Sequence, residues 1–168
     1  MKNGVPERDP VLLSREGGML LKRMNRFFFY FLSFTWGLPL TLFGCLIAFI
    51  LLLSGHKAKK FGLCYCFELG QHWGGLELGF IFLVCQDGGL ALREHEFGHA
   101  IQNCIFGPLM PLLVSIPSSF RYWLRRLARK KGRCPAPPYD AVWFESQANR
   151  FGHRMHLSLI PNDNEKEL

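Results

Sequence analysis

The stretch "REHEFGHAIQNCIFGP", residues 93–108, carries two histidines four positions apart and a glutamate directly after the first of them. Side chains at positions i and i+4 of an α-helix lie on one face, so His95 and His99 can present both imidazoles to one ion. Glu96 then lies to the side of that ion, where its carboxylate can take a proton from bound water. The closing "GP" is typical of a helix end, and the stretch therefore predicts a helix over residues 90–106.

A third ligand is needed beyond this helix, because a catalytic zinc site uses three protein ligands and leaves one position for water. The segment "AVWFESQANRFG", residues 141–152, supplies a candidate in Glu145. In a helix, this glutamate would share its face with Ala148, Asn149 and Gly152. Small side chains on that face permit close packing against the first helix. We therefore predict that Glu145 completes a zinc site with His95 and His99.

"HEFGH" followed by "ESQAN" resembles the arrangement of gluzincin-type zinc metallopeptidases, in which an HExxH motif precedes ExxA[ND] on a second helix. Membrane metallopeptidases of the Ste24/HtpX kind share this pattern. The wider span of residues 27–152 is similar to a family of uncharacterised bacterial membrane proteins, mostly from Gram-positive bacteria. The gluzincin resemblance implies three zinc ligands, His95, His99 and Glu145, and a general base, Glu96.

Two supporting roles are open at the level of sequence. Asn149 is a candidate for orienting a ligating histidine, although the Ste24/HtpX pattern usually has aspartate there. Hydrolysis also needs a group that stabilises the negative oxygen formed on the attacked carbonyl. The candidates for that second role, among which the sequence does not choose, are Tyr139, Arg150, His153 and His156.

The composition points to a membrane. The chain of 168 residues is 49% hydrophobic, contains 16 Phe and has a formal net charge of +7. Its length suits one domain plus an anchor rather than two full domains. The basic residues stand beside apolar segments, as in "LLKRMNRFFF" and "RYWLRRLARKKGR". That arrangement is typical of contact with anionic lipid headgroups, so we predict a lipid bilayer as partner and no nucleic acid.

Residues 27–54 contain no charged side chain. About 20 apolar residues cross a bilayer and signal-peptide cores are shorter, so this segment is predicted to be transmembrane. "WGLP" at 36–39 introduces a break, because proline removes a backbone donor. A long kinked span and a tight helical hairpin both fit, and basic residues at both ends favour the hairpin with cytoplasmic flanks. Residues 1–26 are predicted to form a flexible basic N-terminal arm.

Residues 61–85 contain two aromatic and β-branched runs separated by the Gly-rich "GQHWGG", which predicts a β-hairpin. The second strand, 76–84, would lie beside the metal, where an exposed edge can bind an extended peptide by strand addition. His72 and Trp73 in the turn are open to two interpretations, lining the site or packing on the fold.

Residues 118–130 place Phe, Trp and Leu side chains on one helical face and basic side chains on the others, which predicts an amphipathic basic helix on an anionic membrane surface. The predicted contacts with that surface are Arg121, Trp123, Arg125 and Arg129. An ordinary surface helix packed on its own domain is the alternative. A Pro-rich linker over 132–140 follows, and residues 158–168 are predicted to form a disordered tail.

Six cysteines are scattered along the chain without a CxxC pair. One of them, Cys45, lies in the apolar segment, and another, Cys104, lies in the predicted 90–106 helix. This distribution does not suit a disulfide framework. It indicates reduced, mostly buried thiols on the cytoplasmic side.

The predicted fold class is α+β, mainly helical: a membrane-anchored minimal zincin-like domain over residues 61–157, with a β-hairpin preceding the HExxH helix. The predicted function is a membrane-anchored, zinc-dependent metallopeptidase-like hydrolase that cleaves a peptide or protein substrate with Glu96 as general base. The expected location is the bacterial cell membrane, with the catalytic domain facing the cytoplasm.

Two alternatives of other classes stand beside this prediction: a non-catalytic membrane protein with a structural zinc site, and a membrane-surface interaction module without metal. The glutamate of HExxH counts against the structural site, which needs no base and favours cysteine ligands. An intramembrane protease of the site-2 type would take an aspartate ligand from another apolar segment, and no apolar segment here contains one. Arg93 and Glu94 also predict that the helix begins outside the lipid.

Overall fold

The computed structural model describes residues 26–133, 138 and 141–159. Its elements, in chain order, are α1 (Arg26–Phe34), α2 (Leu38–Leu53), β1 (Lys59–Phe61), β2 (Cys64–Glu68), β3 (Gly75–Leu78), β4 (Ile81–Val84), α3 (Gly89–Phe106), α4 (Ile116–Lys130) and α5 (Trp143–Leu159). A 3₁₀ turn and a short π-helical segment connect α3 to α4. The fold is α+β and mainly helical, as predicted. The predicted arm over 1–26 lies outside the described residues except for Arg26, which begins α1. The predicted disordered tail over 158–168 begins too early, because α5 includes residues 158 and 159, and the rest of it lies outside the described residues.

Helices α1 and α2 meet at an angle of 91°. The break falls at residues 35–37, and Pro39 lies in the first turn of α2, where its missing N–H leaves no helical bond unmade. The segment therefore bends at "WGLP" as predicted, but into a right angle and not into a tight hairpin.

In the part of the chain that the structure describes, no single helix is long and apolar enough to cross a membrane. Two bent helix pairs satisfy the length and composition requirements only when their members are taken together. They are α1 with α2, and Gly89–Leu109 with Pro111–Lys130, which are bent by 115°.

The sheet has the strand order β1-β2-β4-β3, which corrects the predicted single hairpin over 61–85. β2 pairs with β4 in parallel, whereas β3 and β4 form the antiparallel hairpin. The predicted strand 76–84 is thus two strands, because the chain turns at Gly79, whose φ of 77° is readily adopted only by glycine. The backbone N–H of Gly79 donates to the Glu77 carboxylate, which holds this turn. As a result, β3 is an edge strand.

The sheet separates two helical layers. Alternate residues of β2 and β4 face opposite sides, as strand geometry requires. Cys66 and Phe82 pack with α3 and with Phe29 of α1, while Phe67 and Leu83 pack with α2. Helix α3 is enclosed, since all nine residues from Glu96 to Cys104 are buried. The middle of α3 therefore lies at the centre of the molecule.

Helices α3 and α5 cross at two glycines. A Cβ at Gly98 would lie 1.9 Å from the carbonyl oxygen of Ala148, and one at Gly152 would lie 1.7 Å from that of Glu94. Gly152 therefore serves the close approach of two backbones and does not end its helix. The predicted helix 141–152 is longer than expected for this reason, and α5 runs on to Leu159.

Helix α4 begins two residues before the predicted Ser118, and none of its residues is buried. Its large apolar side chains point outward: Phe120 is 64% exposed, and Trp123 is 59% exposed.

The five described cysteines, Cys45, Cys64, Cys66, Cys85 and Cys104, are free, and all but Cys45 are buried. Burial raises the pKa of Cys64 and Cys104, which keeps both thiols protonated at neutral pH. For these residues, the prediction of unpaired and mostly buried thiols is confirmed.

Candidate metal centre

Helices α3 and α5 bring His95, His99 and Glu145 together at one point. The Glu145 Oε2 atom lies 3.1 Å from His95 Nε2 and 3.3 Å from His99 Nε2, and the two Nε2 atoms are 3.1 Å apart. Tetrahedral bonds of about 2.0–2.1 Å separate two ligand atoms by about 3.3–3.4 Å. The observed triangle is close to that size, and the three residues could hold a metal ion.

Amide side chains orient both histidines. His95 Nδ1 lies 2.7 Å from Asn149 Oδ1, and His99 Nδ1 lies 2.7 Å from Gln102 Oε1. An amide oxygen can only accept a hydrogen bond, so each Nδ1 must donate its proton. Each Nε2 therefore faces the other ligands and, in the neutral imidazole, offers them its lone pair.

Gln102 is a residue that the sequence analysis did not identify. It is fully buried, and its Nε2 donates to the carbonyl oxygen of Phe144 at 2.8 Å and to Gln147 Oε1 at 2.9 Å. One side chain thus orients a histidine of α3 and bonds α3 to α5. The available signal was its position three residues after His99, on the same helical face.

Glu145 is fully buried, and neither of its carboxylate oxygens has a hydrogen bond of normal alignment. A buried carboxylate left in this state is costly unless a cation lies nearby. Burial raises the pKa of Glu145, but the imidazoles of His95 and His99 outweigh burial and hold the pKa well below its usual range. The residue therefore stays ionised, which suits a metal ligand.

The same contacts act on His95. Burial lowers its pKa, but Glu145, Glu96 and Asn149 outweigh burial and raise the pKa to about 9. In the absence of a metal, the charged imidazolium thus balances the buried carboxylate. The donor set therefore fits a cation, because the surroundings favour positive charge at this point.

Glu96 is buried next to the ligands, on the wall of the same cavity. Burial raises its pKa, the two histidines lower it and Glu145 raises it, with a net increase. Gly75 of β3 leaves room for the carboxylate, because a Cβ there would lie 2.3 Å from Glu96 Oε1. A carboxylate with a raised pKa in this position can accept a proton and release it again.

The histidines open onto a cavity of about 890 Å³. One wall is the edge strand β3 together with His72 and Trp73, and the other is α4. Trp73 also packs against the cluster between the sheet and α2, so both interpretations of this aromatic residue apply. The cavity is large enough for several residues of a bound chain.

The structure places the other predicted residues away from the ligands. The Nδ1 atoms of His153 and His156 lie 3.0 and 2.8 Å from the Glu94 carboxylate, and Arg150 is exposed and does not line the cavity. Tyr139 lies outside the described residues.

Of the residues predicted to contact a membrane surface, Trp123, Arg125 and Arg129 line the cavity. The fourth, Arg121, donates to the carbonyl oxygen of Pro138 at 3.0 Å. The amphipathic pattern had identified which side chains share a face of α4. It had not identified which surroundings each face meets.

No protein-family model, curated protein or solved structure matches the chain. The gluzincin resemblance therefore rests on "HEFGH" and "ESQAN" and on the geometry of these residues.

Proposed function

We propose that the protein is a membrane-anchored, zinc-dependent metallopeptidase-like hydrolase. The observation that carries the proposal is the triangle of His95, His99 and Glu145 at the wall of an open cavity, with Glu96 beside it. Two imidazoles and one carboxylate, with space for water, are the donor set of many catalytic zinc sites. Thiolates, which structural zinc sites favour, are absent from this group of three.

Glu96 acts as the general base in the proposed reaction. When bound, zinc supplies Lewis acidity for the substrate carbonyl and for water. The Glu96 carboxylate accepts a proton as the water oxygen bonds to the carbonyl carbon. It then delivers that proton to the amide nitrogen as the C–N bond breaks, which releases a carboxylate and an amine. Asn149 and Gln102 hold the ligating imidazoles in one orientation throughout.

The proposed substrate is a peptide or protein bound in extended form along β3. An edge strand has backbone N–H and C=O groups without partners on one side, and an extended peptide can pair with them. β3 contributes Gly75, Leu76 and Glu77 to the cavity wall that also contains Glu96. Strand addition at this edge would therefore pass the peptide backbone next to the ligands.

The proposed anchor is the bent pair α1–α2 in the bacterial cell membrane, with the metal centre on the cytoplasmic side. Large apolar side chains are exposed along both helices and on the outer face of α4, as for Phe27 (66%), Leu53 (74%) and Phe120 (64%). Exposed apolar surfaces of this extent indicate a membrane or a partner. Basic residues near both ends of the pair favour the cytoplasmic side.

The test uses full-length protein purified in detergent and three variants. Wild-type protein should contain one zinc per chain by mass spectrometry and should cleave a mixed fluorogenic peptide pool. Glu96→Gln should keep the zinc and lose at least about 99% of the hydrolysis, because general-base catalysis contributes on the order of 10²–10⁴-fold. Glu145→Ala should lose the zinc, and the matched variant Glu94→Ala, whose half-buried carboxylate contacts His153 and His156 but none of the three ligands, should keep it. Absence of zinc in the wild type, or full hydrolysis by Glu96→Gln, would contradict the proposal.

A structural zinc that only ties α3 to α5 is the second candidate. The observation that favours it is the extent of direct contact between these helices, through Gly98, Gly152 and Gln102. The same experiment separates the two candidates. A structural site predicts stoichiometric zinc, no hydrolysis by the wild type, and a lower melting temperature for Glu145→Ala.

A further inference from the structure

The wall of the cavity opposite β3 is strongly basic. Helix α4 contains five basic residues and no acidic residue. Three of the five, Arg125, Arg126 and Arg129, line the cavity that also contains His95 and Glu96. Positive charge is thus concentrated on one side of the space where a substrate would lie.

The orientation of α4 explains how these arginines reach the cavity. The large apolar side chains of the helix point away from the protein, as for Phe120 and Leu127, which are 64% and 50% exposed. The opposite face carries the arginines that line the cavity, and Arg126 and Arg129 remain exposed to solvent there. No side chain of α4 is buried, so burial of apolar side chains does not explain the orientation of this helix. The basic face instead adjoins the cavity.

Among the described acidic groups outside the metal site, Glu77 lines the opposite wall of the cavity, where it is buried and accepts a hydrogen bond from the Gly79 N–H. The other three have partners away from the α4 arginines. Glu68 pairs with Lys59 and Arg93, Asp87 pairs with His72, and Glu94 contacts two histidines of α5. Arg126 is held by neutral groups, because its Nη1 donates to the Tyr122 hydroxyl at 3.2 Å and its guanidinium lies 5.4 Å from the Trp123 ring centre. These contacts position the guanidinium, and no acidic side chain among the described residues pairs with it.

The two walls approach each other near the start of β3. A Cβ at Gly74 would lie 3.8 Å from Cε2 of Tyr122, so α4 passes directly over this end of the strand. Ser118, one turn earlier in α4, lies beside Glu145. From Ser118, the helical rise of 1.5 Å per residue carries Arg125 and Arg129 about 10 and 16 Å farther along α4. An extended chain covers that distance in roughly three to five residues.

We propose, resting on the proposed function, that the substrate is an acidic peptide whose carboxylates, three to five residues from the cleaved bond, bind Arg125, Arg126 and Arg129 while its backbone pairs with β3. Arginine suits this role because its planar guanidinium can bind a carboxylate through two parallel hydrogen bonds. The basic wall of α4 is therefore a specificity element, and the metal centre on α3 and α5 carries out the chemistry.

The test measures binding separately from hydrolysis. Zinc-loaded Glu96→Gln protein in detergent is titrated into capped fluorescent decapeptides with a central Ala–Leu bond. In the first pair, one peptide has three glutamates before that bond and the other has three glutamines at the same positions. In the second pair, the three glutamates or glutamines come after the bond. Anisotropy should give at least about tenfold tighter binding of the acidic peptide in one pair. Arg126→Gln or Arg129→Gln, each introduced into the Glu96→Gln protein, should reduce this preference about fivefold.

Controls distinguish the cavity from net charge. Arg154→Gln removes the same charge from an exposed position of α5 and should leave the preference unchanged. Arg129→Glu should reduce the preference for the acidic peptide more than Arg129→Gln does, because it adds a repelling carboxylate to the same wall. Equal binding of both members of each pair would overturn the proposal, as would an equal loss in Arg154→Gln and Arg129→Gln.

A membrane role of the arginines is the competing outcome. If Arg126→Gln and Arg129→Gln weaken binding to phosphatidylglycerol vesicles and leave the peptide preference intact, the arginines serve lipid and the proposal fails. The proposed function fails separately, if wild-type protein holds zinc and binds the acidic peptide but hydrolyses neither member of the pair.

Discussion

Helices α3 and α4 follow each other in the chain and have similar lengths, yet they are packed in opposite ways. The middle of α3 is buried from Glu96 to Cys104, and its polar residues His99 and Gln102 are buried against α5. α4 buries none of its residues, and it turns its apolar face outward and its arginines toward the cavity. The cavity at the candidate metal centre therefore has a packed half, formed by α3 and α5, and an exposed half, formed by α4. Close packing holds the three candidate ligands in place, which a precise metal geometry requires.

The largest effect is expected from a substitution in the packed half, at the crossing of α3 and α5. Gly98→Ala adds one methyl group, which would lie 1.9 Å from the Ala148 carbonyl oxygen. We expect a loss of about 3 kcal/mol in the free energy of unfolding, because overpacking against a backbone cannot relax easily. Urea or heat denaturation in detergent measures it. At an open helical position the same change would stabilise by up to about 1 kcal/mol, so the sign itself is diagnostic.

Ala128→Gly in α4 makes the reverse change as a control. It should cost only the difference in helix propensity, about 1 kcal/mol. A Gly98→Ala protein as stable as the wild type would show that the two backbones are not in contact.

A matched pair of truncations compares the two helices directly. Ile101 of α3 is 1% exposed, whereas Leu127 of α4 is 50% exposed. Ile101→Ala should lower the free energy of unfolding by roughly 2–5 kcal/mol, and Leu127→Ala by less than about 1 kcal/mol. The same denaturation experiment checks both variants. Similar losses at the two positions would mean that α4 is covered in the folded protein.

The orienting amides provide a finer comparison within the packed half. Gln102→Ala should weaken zinc binding about 10–100-fold, measured by competition with a chelating dye. Asn149→Ala should weaken it less, since Asn149 is exposed and water can replace its oxygen. The control is Gln147→Ala, which removes a partner of Gln102 but no contact to a histidine. If Asn149→Ala lost more zinc affinity than Gln102→Ala, Asn149 and not Gln102 would be the more important orienting residue.

The smallest effect concerns the attachment of α3 to the sheet and depends on pH. The hydrogen bond from Lys59 lowers the pKa of Glu68, burial opposes it, and Arg93 of α3 lowers it further. A carboxyl whose pKa is lowered by folding stabilises the protein above its unfolded pKa, and this contribution is lost as pH falls through the folded pKa. Glu68→Gln should therefore cost up to about 1 kcal/mol at pH 7 and progressively less as the pH falls through the folded pKa of Glu68. Thermal melts across this pH range test the difference.

Local sequence patterns were sufficient to single out the residues that meet at the metal centre. The i, i+4 spacing of His95 and His99 and the small side chains around Glu145 are short-range features, and the structure brings these three residues together. The parallel pairing of β2 with β4 could not be predicted in this way. It depends on contacts between distant residues and on a turn at Gly79 inside the segment 76–84, which the sequence pattern predicted to be one strand.

The orientation of α4 also could not be predicted from the sequence, for a different reason. An amphipathic pattern shows which side chains share a face, but not whether that face meets water, lipid or a cavity. Gln102 was missed because its position three residues after His99 places it on the same helical face but does not reveal its partners on another helix. Its importance arises from Phe144 and Gln147 on another helix.

The crossing at Gly98 and Gly152 has a consequence for how the protein can change over generations. The separation of α3 and α5 is set there by contact between main-chain atoms, whose radii no substitution can alter. Elsewhere along the two helices, apolar side chains can exchange volume with one another without changing the distance between the ligands. Substitutions in the surrounding core should therefore leave the spacing of the three donor atoms unchanged as long as the two glycines are kept.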